Sequence, residues 1–105
     1  MPVISTDRDG VALVNTFTVE PENHERLLEI LREATDDVMR HLPGFVSASV
    51  HASLDGTRVC NYAQWSSEEA FRAAIAHPDS KPHFAACQAI ASSDSALYQL
   101  RFTEG

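Results

Sequence analysis

From Val11 to Val19, apolar and polar side chains alternate, and Val11, Leu13, Asn15, Phe17 and Val19 share one side. That period predicts a half-buried strand, with an asparagine on its apolar face. Pro21-Glu22-Asn23 then opens a helix, because proline suits a first turn and acids suit its positive end. Leu27, Ile30, Leu31, Ala34, Val38 and Leu42 recur at helical spacing, and Pro43-Gly44 ends the run. Phe45 to Leu54 and Thr57 to Trp65 alternate again around Asp55-Gly56, a pair suited to a type I′ hairpin turn. Ser66 stands three residues before Glu69, the capping-box spacing, ahead of a second helix carrying Ala70, Phe71, Ala74 and Ile75. His77-Pro78 closes it. Lys81 to Ile90 reads as a short third helix with Phe84, Cys87 and Ile90 inward. Ser92-Ser93-Asp94-Ser95 reads as a loop. Leu97 to Phe102 reads as a last strand, with Tyr98, Leu100 and Phe102 on one face.

The hairpin has its own register. With Asp55-Gly56 as the loop, Ala52 faces Val59, Val50 faces Asn61, Ala48 faces Ala63 and Val46 faces Trp65. One face therefore carries Val46, Ala48, Val50, Ala52, Leu54, Val59, Asn61, Ala63 and Trp65. The other carries Phe45, His51, Cys60, Tyr62 and Gln64 among serines. An amide in the middle of a core face needs a partner, since leaving it unpaired costs about 1–3 kcal/mol. Three alanines beside Asn61 leave room for a partner that is not protein. The order strand, helix, hairpin, helix, strand gives an α+β sandwich, a four-stranded antiparallel sheet with helices on one face. The mixed second face suits packing against an identical sheet, so a symmetric homodimer is expected.

Composition narrows the function. The 105 residues suffice for one core, with Met1 to Gly10 a flexible lead and residues 11–105 a single domain. A net charge of −7 without a Lys/Arg cluster argues against nucleic acid. No apolar run reaches membrane-spanning length, and the first residues lack signal-peptide character. The two cysteines, Cys60 and Cys87, lie far apart and fit free thiols in a reducing cytoplasm. No HxH, HExxH or Cys/His pairing points to a metal, and there is no glycine-rich phosphate loop. His51 falls on the second sheet face, His24 and His41 on helix surface, and His77 at a helix terminus.

His51-Ala52-Ser53, Asp55-Gly56-Thr57 and above all Asn61-Tyr62-Ala63-Gln64-Trp65, followed by Ser67-Glu68 and Ala70, resemble the antibiotic biosynthesis monooxygenase (ABM) family. The likeness is greatest to the quinone-forming monooxygenases of aromatic polyketide pathways, that of actinorhodin biosynthesis among them. It is strongest from Pro43 to Arg72 and looser from Val11 to Phe102. The resemblance implies a ferredoxin-like domain assembled as a dimeric α+β barrel, one pocket per subunit. It also implies cofactor-free oxidation of an anthrone-type phenol to a quinone by dioxygen, with neither flavin, heme nor metal. The family's implicated residues carry over to Asn15, Asn61 and Trp65 as catalytic, and Ala48, Val50, Ala52, Ala63, Phe71, His83 and Phe84 fall to substrate binding. Two positions depart from the family: its helix tyrosine is Phe71 here, and its later arginine falls near His83 and Phe84. Two other functions fit the same fold, a non-catalytic dimer binding a small aromatic and a heme-degrading monooxygenase. The latter resembles this chain in its strand-one asparagine, but its helix tryptophan falls at about Ala74.

Overall fold

The structure is a computed structural model describing residues 10–105. Except for Gly10, the expected N-terminal lead lies outside the described residues. Four strands, β1 (Val11–Val19), β2 (Phe45–Ala52), β3 (Arg58–Trp65) and β4 (Ala91–Tyr98), form one antiparallel sheet in the order β2-β3-β1-β4. Three helices, α1 (His24–Asp37), α2 (Glu68–Ala76) and α3 (Lys81–Ile90), join them. This is the ferredoxin-like sandwich, and β1 and the helix positions agree with the apolar periodicity.

Several local expectations are corrected. The hairpin keeps the expected pairing from Ala52–Val59 to Ala48–Ala63, but a bulge at Val46 then sets Phe45 opposite Trp65. One extra residue flips the faces: Phe45 turns to the helix side and Val46 turns out, 47% exposed. The turn is not type I′, because among the described residues only glycines have positive φ. Gly56 takes φ +75°, its N–H donates to the Ser53 carbonyl at 3.2 Å, and Asp55 instead anchors the loop. The Asp55 carboxylate accepts from Ser53 Oγ at 2.8 Å, Thr57 N at 3.0 Å and Thr57 Oγ1 at 2.7 Å. The Thr57 and Ser53 hydroxyls hold its pKa at about 2, below an ordinary 3.8.

The second helix is capped by Ser67, not Ser66. Ser66 N is held by the Gly44 carbonyl at 2.7 Å, so the chain enters the helix one residue later. Ser67 Oγ accepts from Ala70 N at 3.1 Å, and no glutamate occupies the third helical position. The first helix ends at Asp37: Val38 leaves helical geometry at φ −126° and ψ −68°, and Met39–His41 form a separate 3-10 turn. His24 is not on the surface. It is 8% exposed, with Nε2 3.0 Å from the Arg58 carbonyl oxygen, tying α1 to β3.

The largest correction is at the C-terminus. Ala91–Tyr98 is the strand and residues beyond it carry no regular structure, so Ser92 to Ser95 are not a loop and Leu100 and Phe102 are not on β4. These serines and Asp94 pair with Thr18, Phe17, Thr16 and Asn15 of β1. An edge strand can be this polar because its backbone ladder to a central strand, not its side chains, holds it in place.

The core divides in two. Phe17, Val19, Leu27, Ile30, Leu31, Val59 and Cys87 form one cluster, where α1 and α3 cover one end of the sheet. Ala63, Trp65, Phe71 and Ala74 form the other, under α2. Between the two clusters the sheet face stays open.

Candidate active site

The opening is a cavity of about 300 Å³ between sheet and helices, within the range of small-molecule sites. Asn15 on β1 and Asn61 on β3 stand directly opposite each other on its floor. Farther along β3, the Trp65 indole forms one wall. Phe45 packs edge-on to it at 5.5 Å between ring centres and 85°, and Phe71 does the same at 6.3 Å and 66°. Aromatic neighbours on two sides fix the indole plane, and Trp65 is only 3% exposed.

Three buried side-chain atoms among the described residues lack a hydrogen-bond partner: Asn15 Oδ1, Asn61 Oδ1 and Trp65 Nε1. All three residues line this cavity. The asparagines, though opposite, do not satisfy each other's oxygens. Each orphan costs about 1–3 kcal/mol in a resting protein, so their convergence marks a site built for something polar. Two acceptors and one N–H donor complement a molecule carrying both hydroxyl and oxygen acceptor groups.

Of the other residues expected here, Ala48, Ala63, Phe71, His83 and Phe84 line the cavity. Val50 and Ala52 do not. They lie at the hairpin end of the edge strand β2, Val50 being 37% exposed and Ala52 exposed as well. The small side chains beneath the cavity are therefore Ala48 and Ala63. Phe45, Met39, Ser93 and Ser95 also line it, none of them expected from sequence. The bulge hides Phe45, and the serine run of β4 carries no apolar alternation from which a strand can be read.

His83 and Cys87 reach the cavity from α3. Burial pushes the Cys87 thiol above its ordinary pKa, and both cysteines are free. Among the described residues no group of three or more His, Cys, Asp or Glu could hold a metal ion, and no helix is long and apolar enough to cross a membrane.

The antibiotic biosynthesis monooxygenase family model matches residues 10–90, which takes in all three helices and every catalytic candidate. The chain belongs to this family. A tetracenomycin-F1 monooxygenase from Streptomyces glaucescens is 49% identical over 90 residues, covering 86% of this chain and 80% of that protein. Among solved structures, SnoaB, a cofactor-independent oxygenase from Streptomyces nogalater, superposes with a TM-score of 0.80 at 33% identity. That match covers 90% of this chain and 96% of SnoaB. The monooxygenase from the ActVA-Orf6 gene of Streptomyces coelicolor, in complex with nanaomycin D, gives a TM-score of 0.82 at 35% identity. It covers 92% of each chain. Family and relatives together make this chain a monooxygenase.

Proposed function

We propose that this protein oxidises an aromatic, polyketide-type phenol or anthrone to a quinone with dioxygen, and without a cofactor. The observation that carries this reading is the convergence of Asn15 Oδ1, Asn61 Oδ1 and Trp65 Nε1, all unpartnered, on one apolar cavity. The relatives support it: one is a tetracenomycin-F1 monooxygenase, one is a cofactor-independent oxygenase, and one is a monooxygenase in complex with nanaomycin D.

The chemistry needs little from the protein beyond placement. Triplet dioxygen reacts poorly with closed-shell molecules unless it accepts one electron at a time, and an ionised phenol or anthrone supplies that electron itself. Asn15 and Asn61 hold the phenol through their amide oxygens. With the amide turned over, their N–H groups donate to the phenolate, as preorganised donors do at other developing oxyanions. The indole N–H of Trp65 donates to dioxygen or to the peroxide that follows. One oxygen atom stays on the ring carbon, and the other leaves as water with the two hydrogens of the anthrone methylene. Phe71 brings no hydroxyl to this site. Among the described residues that line the cavity only His83 carries an imidazole, and we assign it the proton of the phenol. The working form is a homodimer in the cytoplasm, each subunit carrying its own cavity.

Chelator-treated protein mixed with anthrone in air tests the reading. Quinone absorbance should rise faster than in a no-protein control, with one dioxygen consumed per quinone. A rate equal to the control, or one that needs added flavin, overturns it. Binding without turnover would instead leave a protein that only holds aromatics.

A further inference from the structure

β4 adds two serines, Ser93 and Ser95, to the lining of the cavity. Ser95 stands directly opposite Asn15, which stands directly opposite Asn61. The three form a straight row, Asn61–Asn15–Ser95, running across β3, β1 and β4. On one side of it lies the apolar row Ala63–Leu13–Leu97, and on the other lies Val59–Phe17–Ser93. The row thus crosses the floor from the edge of β2, where Val50 faces Asn61, to the exposed mouth at Ser95.

Asn15 Oδ1 lacks a partner at the middle of the row, and the 3% exposed Trp65 presents an unpartnered N–H to the same cavity. Asn15 and Ser95 stand one strand spacing apart, about 4.8 Å, so two ligand oxygens met one by each side chain stand about that far from each other. The two outer hydroxyls of a 1,8-dihydroxylated tricycle stand about that far apart, and a hydroxyl can donate to Asn15 Oδ1 where a quinone oxygen cannot. A single hydroxyl on a one-ring phenol has no second oxygen to offer at that distance.

The geometry points to Ser95 as a specificity determinant: its hydroxyl receives a second oxygen of the substrate, so the cavity selects polycyclic phenols bearing two oxygens along one edge. This rests on the aromatic substrate class proposed above and goes further, naming the substitution pattern and the residue that reads it. Serine can donate to a carbonyl or accept from a hydroxyl there. One neutral hydrogen bond at a partly wet mouth contributes about 3- to 10-fold in affinity.

Trp65 is the single tryptophan in the chain and walls the cavity, so its fluorescence reports occupancy without turnover. Titration with 1,8-dihydroxyanthraquinone and with unsubstituted anthraquinone should show the first bound about 3- to 10-fold more tightly. Ser95→Ala should erase most of that preference while changing the anthraquinone affinity less than about twofold, and Ser95→Thr should restore it. Ser92→Ala, on the opposite face of the same strand, should leave the preference intact. The proposal is overturned if wild-type protein shows no preference, if neither quinone quenches Trp65, or if Ser95→Ala keeps the preference. Oxygen uptake separates the two readings. A Ser95-dependent preference without turnover sinks the oxidation alone, and turnover with a Ser95-independent preference sinks this assignment alone.

Discussion

Asn15 and Asn61 face each other on the apolar side of adjacent strands, and neither oxygen has a partner. That decides what truncation does. Asn61→Ala removes an acceptor that no donor meets, so stability should not fall by more than about 1 kcal/mol. Turnover should fall about tenfold or more, less than the 10²–10³ of a lone oxyanion donor, because Asn15 and Trp65 act on the same ligand. Asn15→Ala should behave alike, and the double variant should lose less than the product of the two. Thermal melts with oxygen uptake on both single variants check this: a melting point well down with turnover per folded molecule intact makes the asparagines structural. The amides, Trp65 and the flanking alanines 48 and 63 are legible in the sequence because period-two alternation places polar and small side chains on a face that ought to be bulky. The same rule misplaces Val50 and Ala52. Alternation tells which face a residue takes, not how far along the strand the helices reach to cover it.

At the level of elements, the site depends on one clip. Gly44 ends the first helical region at φ +86°, and its carbonyl accepts from Ser66 N, binding the start of β2 to the entrance of α2. Phe45 follows directly, turned inward by the bulge to brace Trp65. A Cβ at position 44 would run into the Ala70 Cβ and Ser66 Oγ. Gly44→Ala should therefore cost about 1–2 kcal/mol for left-handed backbone and about 1–3 more for overlap, lowering the melting point by about 10 °C or more. Gly56 has comparable φ, +75°, but a Cβ there meets nothing within 4 Å, so Gly56→Ala should cost the backbone share only. Differential scanning calorimetry on the two variants checks the ranking, and equal losses would contradict the clip. Strands and helices with strong periodicity are readable from the amino-acid pattern alone, although the first helix stops at Asp37, ahead of Pro43-Gly44. The bulge, the capping residue and β4 are not. Each depends on a backbone hydrogen bond to a distant segment, Gly44 to Ser66 or β4 to β1, and side-chain pattern carries no record of that. The polar edge strand shows it most plainly, since Ser92-Ser93-Asp94-Ser95 has turn composition and yet completes the sheet.

For the molecule as a whole, the helices cover one sheet face and leave the other to solve its own exposure. That outer face carries Val14, Tyr62 and Ala96 side by side across β1, β3 and β4, with Val46 and Tyr98 exposed at 47% and 55%. Four strands at about 4.8 Å spacing and about eight residues of about 3.3 Å each make a patch on the order of 500 Å² before side-chain relief. A standard interface needs about 800 Å² per partner, so the sheet supplies most of one and the segment after β4, with Phe102 82% exposed, can supply more. A second copy meeting this face through a two-fold axis covers all of it at once, because the same patch serves both sides. We therefore expect sedimentation equilibrium at micromolar concentration to give about twice the chain mass of 11.5 kDa. Val14 sits on a central strand opposite both Tyr62 and Ala96, so Val14→Lys would bury an unpaired charge at the middle of the interface. That variant should sediment as a monomer while circular dichroism shows the fold retained, since the helix-covered core lies on the other side of the sheet. A wild-type protein that sediments at a single chain mass, or a Val14→Lys protein that remains dimeric, would show that this face is not where two copies meet.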